Sequence, residues 1–145
     1  MEVGATALVK GNLLQGPANV TGHTDRVVGD AAAVGDMFVT FDSASNGASA
    51  NDYADGFLVV NDAAGEGITY RISGHATWAA TDTSVRINIS DPVDQALTAD
   101  TSEISLHSIW RNVIQNPTSA TNIAVGVADV AYAINDHFWG QTRGI

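Results

Sequence analysis

The stretch "DYADGFLVVNDAAGEGITYRIS" gathers Asp52, Asp55, Asp62 and Glu66 around Gly65 and Gly67. Carboxylates at this density can hold a divalent cation, and glycines beside them can cradle a phosphate. The spacing argues against both. A Ca2+ loop of the EF-hand kind needs closely spaced oxygens and a bidentate Glu at its twelfth position, whereas the apolar run "FLVV" interrupts these acids. An extended run at about 3.3 Å per residue would set Asp55 about 20 Å from Asp62. For a phosphate, the glycines match neither the dinucleotide fingerprint nor a P-loop, no Lys follows them, and the acids repel the anion. The stretch reads instead as a β-hairpin. "GFLVVN" and "ITYRIS" are its strands and "DAAGEG" its turn, with glycines free to take positive φ and the acids on a solvated rim.

The other candidates for chemistry are as sparse. His23, His75, His107 and His137 are scattered, with no pair three or four residues apart, so they read as surface or satisfied core residues rather than metal ligands. No "GxSxG" elbow marks a nucleophile. The carboxylate pairs Asp52 with Asp55 and Asp91 with Asp94 lie where Asp serves as a turn residue, which weakens a glycosidase reading. "NVT" at 19–21 and "NIS" at 88–90 match the glycosylation acceptor pattern, while the proline of "NPT" at 116–118 excludes that one. No catalytic residue, metal or cofactor is expected.

Composition narrows the class of partner. Sixteen Asp and Glu against six Lys and Arg leave a formal net charge of -10, which repels nucleic acid. No run of apolar residues is long enough to span a membrane, and "MEVGATALVKGNLLQG" lacks the basic start and apolar core of a signal peptide, so a soluble chain without membrane contact is expected. The absence of cysteine removes disulfides and thiolate chemistry.

The elements that must position these residues are strands. "GDMFVTFDS" puts Met37, Val39 and Phe41 on one face, and Ile68, Tyr70 and Ile72, then Val85, Ile87 and Ile89, then Ile104 and Leu106 alternate with polar neighbours. With "GFLVV" at 56–60 this gives five strands before the last third of the chain. "NIAVGVADVAYAINDHFWGQT" carries both strand and helix spacing; Gly126 favours strand. Asp91 and Pro92 allow one short helix in "DPVDQALTAD". No internal repeat is evident. The expected fold is all-β, a small antiparallel barrel or sandwich with long turns: residues 1–34 as an N-terminal arm or a first strand with a loop, and 35–145 as the β domain.

The order of motifs adds a resemblance. "GDMFVTF", "DYADGFLVVNDAAGEGITYRISGH", "RINISDPVDQALTADTSEISLHSIWRNVI" and "AVGVADVAYAINDHFWGQTRG" follow one another. The series resembles a family of structural proteins in the virions of tailed viruses, especially marine phages. Members carry an acid-Tyr-Ala-Asp-Gly strand, a Gly-Glu-Gly hairpin with a following Tyr, an Asp-Pro turn before a Thr-Ser-Glu strand, and a closing aromatic-Trp-x-Gln-Thr-x-Gly. The likeness runs from about residue 35 to residue 144. It implies a head decoration, or cement, protein on the outer capsid surface, whose partners are the major capsid protein and its own copies, as a trimer at threefold positions. Under that reading the N-terminal arm and the loop holding Trp78 meet the capsid, and an aromatic edge at Trp110, Phe138 and Trp139 joins subunits. The alternatives are a tail or vertex component, a carbohydrate-binding β module stacking sugars on Trp78 and Tyr53, or a hydrolase whose acid and base the sequence does not reveal.

Overall fold

The computed structural model describes residues 1–43, 45–108, 111–116 and 124–142. The chain divides into two compact units: Asn19–His107, and Met1–Ala18 together with Ser108–Ile145. Residues 1–18 are therefore no separate arm. In chain order the strands are β1 Leu13–Gln15, β2 Arg26–Val27, β3 Phe38–Phe41, β4 Phe57–Asp62, β5 Thr69–His75, β6 Val85–Ile89, β7 Glu103–His107, β8 Ile114–Gln115 and β9 Ala124–Val127. The all-β expectation holds, and no helix occurs among the described residues.

The larger unit is a six-stranded sheet in the order β2-β7-β4-β5-β6-β3, and its neighbouring strands are antiparallel. A bridge between Val28 and Phe41, with the Gly29 amide donating to Thr40 O at 3.0 Å, joins the first strand to the last. The sheet thus nearly closes into a barrel. Alternation sends Leu58 and Val60, Tyr70 and Ile72, Val85, Ile87 and Ile89, and Ile104 and Leu106 into the interior. Their neighbours Phe57, Arg71 and Arg86 stay outside, where Arg86 lies 3.7 Å over the Phe38 ring. The "DAAGEG" stretch is the hairpin turn between β4 and β5, with Ala63, Gly65 and Gly67 all at positive φ.

The smaller unit pairs β1 with β8 and β9. Single bridges extend the pairing: Glu2 with His137, Val3 with Val113, and Val127 with Gln141. Backbone pairing therefore runs around a ring, enclosing Val3, Leu8, Leu14, Val113, Val125, Ala128 and Phe138.

One local design recurs in both units, contrary to the expectation of no repeat. In the barrel, Ala32 and Leu97 exchange both backbone hydrogen bonds at 3.1 and 2.9 Å, the Gly35 amide donates to Val93 O at 2.9 Å, and the Asp100 amide donates to Val28 O at 2.9 Å. In the smaller unit, Leu8 and Tyr132 exchange bonds at 2.9 and 3.1 Å, Gly11 donates to Ala128 O at 2.7 Å, and Asn135 to Val3 O at 3.2 Å. The first pair of segments leads into β3 and follows β6; the second leads into β1 and follows β9. Both strand pairs are antiparallel. The signal is "VGDAAAVGD", "VDQALTAD" and "ADVAYAIND": Ala fourth, the bridging residue fifth, and a left-handed Gly35, Asp100 or Asn135 eighth. The same design explains why "DPVDQALTAD" is not helical. Val93 and Leu97 have helical spacing, yet their amides bond to Asp36 O and Ala32 O across the barrel rather than to the preceding turn.

Candidate functional site

Much of the chemistry-bearing side-chain set meets at the barrel interior near Trp78. A third paired bridge fixes it: Ala48 and Trp78 exchange backbone bonds, both at 3.1 Å, between turns closed by Asp52 and Asp82. The Asp52 carboxylate accepts the Ser49 amide at 2.8 Å, and that of Asp82 the Ala79 amide at 2.9 Å. The loop's polar residues hold its turns, so the indole is free to point inward. Trp78 is only 5 % exposed and rests among His23, Phe41, Tyr53 and His75, whose ring centroids lie 5.2, 5.7, 6.1 and 4.6 Å away.

The polar atoms of this cluster are engaged. The Tyr53 amide donates to His75 Nε2 at 3.0 Å, so that nitrogen is bare, and Nδ1 donates to Ala76 O at 2.8 Å. His23 Nε2 donates to Asn46 O at 2.8 Å, and its Nδ1 meets the Tyr53 hydroxyl at 2.6 Å. Trp78 Nε1 donates to the same Asn46 carbonyl at 3.3 Å, and Ser43 Oγ at 2.9 Å. The network fixes both imidazole orientations and closes the barrel end. Burial, helped by the Asp52 carboxylate, pushes the Tyr53 hydroxyl well above its ordinary range.

That shift has a sign. Unfolded tyrosine ionises from about pH 10, while the buried hydroxyl keeps its proton, so its contribution is complete below that pH and is lost as pH rises above it. Stability should fall above pH 10 by about 1.4 kcal/mol per pH unit more than in Tyr53→Phe. Urea midpoints of both proteins across the alkaline range check this; equal slopes would place the hydroxyl in solvent.

The remaining candidates are drawn into architecture. Asp55 pairs with Arg71 at 2.7 Å on the exposed face, and Asp62 accepts the Ala63 amide at 2.6 Å in the hairpin turn. Ser105 Oγ accepts the Asp25 amide at 3.0 Å and Asn61 Nδ2 at 2.6 Å, which occupies both lone pairs of a buried hydroxyl. Asn61 also donates to Asp25 Oδ1. Partial burial draws His107 below the usual imidazole range, partly offset by Asp25, and Nδ1 meets Asn19 Oδ1 at 3.2 Å. Among the described residues no group of His, Asp and Glu is placed to hold a metal. In "NVT", Asn19 is exposed; in "NIS", Asn88 is paired within β6 and donates to Gly74 O at 3.2 Å.

The expected contact residues separate. Trp78 is buried and offers no exposed indole to a capsid. With Tyr53 buried and stacked on it at 17°, neither ring presents a face to a sugar. Phe138 belongs to the smaller unit's core, 4.6 Å from the Tyr132 ring. Trp110 lies outside the described residues. Trp139 is 91 % exposed. Beside it stand His137, one of the scattered histidines and here a surface residue, and Gln141, an exposed residue that sequence reasoning passed over; the period-two pattern of "HFWGQ" was the available signal.

No family model, curated protein or solved structure matches the chain.

Proposed function

We propose that the chain is a structural component of a tailed-virus virion, a head decoration protein that binds the outer capsid surface as an oligomer and stabilises the shell. The observation that carries this reading is the use made of the ionisable and aromatic groups. His23, Tyr53, His75 and Trp78 close a barrel end, and Asp36, Asp52, Asp82 and Asp136 each accept the amide three residues earlier. Side chains that elsewhere perform reactions here build turns and a core, which suits a scaffold. The motif order from "GDMFVTF" to "FWGQTRG" supports the virion assignment. A net charge of -10 favours basic capsid patches and keeps a decorated particle hydrated.

Binding to emptied, expanded capsids of the cognate virus tests the reading. Many copies per particle, counted by quantitative mass spectrometry, with a raised temperature of capsid disruption, are expected. Occupancy confined to a few copies would move the protein to a tail or vertex position, and no binding would remove it from the shell.

A further inference from the structure

The stretch from His137 to Gln141 is held extended at both ends. Glu2 bridges His137, Met1 and Phe138 exchange bonds at 3.0 and 2.9 Å, and Val127 and Gln141 exchange bonds at 2.9 and 3.1 Å. An extended backbone alternates its side chains. Phe138 enters the core, and His137, Trp139 and Gln141 are exposed. A shallow depression of about 250 Å3, lined by Met1, His137, Phe138 and Trp139, lies at this face. The Met1 thioether fills the space over Gly140, where a Cβ would come within 3.1 Å of its sulfur.

We propose that this face binds a neutral sugar ring, with Trp139 as the stacking platform and the His137 imidazole and Gln141 amide as partners for its hydroxyls. Three observations select that occupant. The first is size. An aromatic side chain covers at most about 250 Å2, against about 800 Å2 per partner in a stable protein interface; the platform suits one ring rather than a protein surface. The second is the chemistry beside the indole. Imidazole and amide both donate and accept hydrogen bonds, which suits a ring whose faces carry C–H groups and whose rim carries hydroxyls. Neither side chain is engaged in a hydrogen bond within the described residues. The third is charge. The charged groups around the platform offset one another: Glu2 across the bridge and Asp136 before His137, against the Met1 ammonium that donates to Phe138 O at 3.0 Å and, two residues after Gln141 in the sequence, Arg143. A face without a charge excess of either sign gives an ionic group no advantage over the hydroxyls of a neutral ring.

The site goes beyond the virion reading and is tested without capsids. The purified full-length chain is applied to an array of neutral gluco-, manno-, galacto- and N-acetylglucosamine oligosaccharides, with sialylated and sulfated glycans alongside, and hits are titrated by NMR. Binding of a neutral oligosaccharide is expected, weakened about tenfold or more in Trp139→Ala and about fivefold in Gln141→Ala. Thermal unfolding of both variants should match the parent, because the replaced side chains are exposed. Three results would overturn the proposal: no neutral oligosaccharide bound, a preference for acidic glycans, or unchanged binding in Trp139→Ala. Capsid occupancy lost in Trp139→Ala, from a chain that ignores every sugar, would make Trp139 a protein anchor and leave the decoration reading standing.

Discussion

Trp78→Ala should lower the stability of the barrel by about 3–5 kcal/mol, one of the largest losses available to a single substitution in this chain. The indole is 5 % exposed and touches rings contributed by four separate stretches, those of His23, Phe41, Tyr53 and His75. Removing it forfeits its transfer free energy and leaves a cavity that fixed neighbours cannot fill. Trp78→Phe should cost much less, about 1–2 kcal/mol. It keeps most of the ring, and Asn46 O retains its bonds from His23 and Ser43 when the indole N–H is gone. Equilibrium denaturation in urea separates the two. A loss below about 1 kcal/mol in Trp78→Ala would mean that the ring does not plug the barrel. The result also governs how binding data are interpreted. A Trp78→Ala protein that fails to occupy a capsid would fail through its unfolded fraction, so occupancy must be compared at equal folded concentration.

Gly56→Ala should cost about 3 kcal/mol, whereas Gly67→Ala, nearby in the same hairpin, should cost about 1–2 kcal/mol. The reasons differ. A Cβ on Gly56 would stand 2.2 Å from His107 O and 2.9 Å from Tyr53 O, both backbone atoms that cannot swing aside. Gly56 sits where β4 begins against the end of β7, next to the Phe57–His107 pair, and its carbonyl accepts the Ile72 amide at 2.9 Å. Relief therefore requires strands to part. Gly67 has nothing within 4 Å of such a Cβ, and only its φ of +86° resists a side chain. Thermal melts of the two variants, scaled to the parent's unfolding entropy, give the comparison. Equal losses would remove the close approach at Gly56.

The strands legible in the sequence were those long enough to repeat a period of two. Tyr70 and Ile72, Val85 to Ile89, and Ile104 with Leu106 are where alternation placed them, and the Gly-Glu-Gly turn forms the hairpin. β1 has three residues and β2 two, too few for alternation to register, so the sequence left residues 1–34 between an arm and a first strand with a loop. The paired segments were hidden for another reason. Four-residue spacing of Val28 and Ala32, or Val93 and Leu97, imitates a helix, although the partners lie far along the chain. For the site, a tryptophan in a polar loop suggested an exposed anchor. That loop is polar because Asp82 closes its turn and Thr77 Oγ1 accepts the Ala50 amide of the facing loop, and polarity of the backbone's supports says nothing about where the indole goes. Trp139 was singled out with Phe138 as one edge, and alternation divides them between surface and core.

The division of the chain has a consequence for the order of assembly. The barrel is one continuous span, Asn19–His107, while the smaller unit unites Met1–Ala18 with a segment that begins at Ser108. During synthesis the first residues must wait for the last, whereas the barrel's strands all lie within one continuous span. In an unfolded chain, joining the outer segments closes a loop of about 90 residues. Once the barrel forms, its ends are already together, since His107 Nδ1 meets Asn19 Oδ1 at 3.2 Å. Prior folding of the barrel then removes about 3 kcal/mol of closure entropy from the smaller unit, estimated from about five halvings of loop length. The barrel serves as an internal clamp on the chain that carries it, and damage to its core, as in Trp78→Ala, should raise the closure cost of the smaller unit.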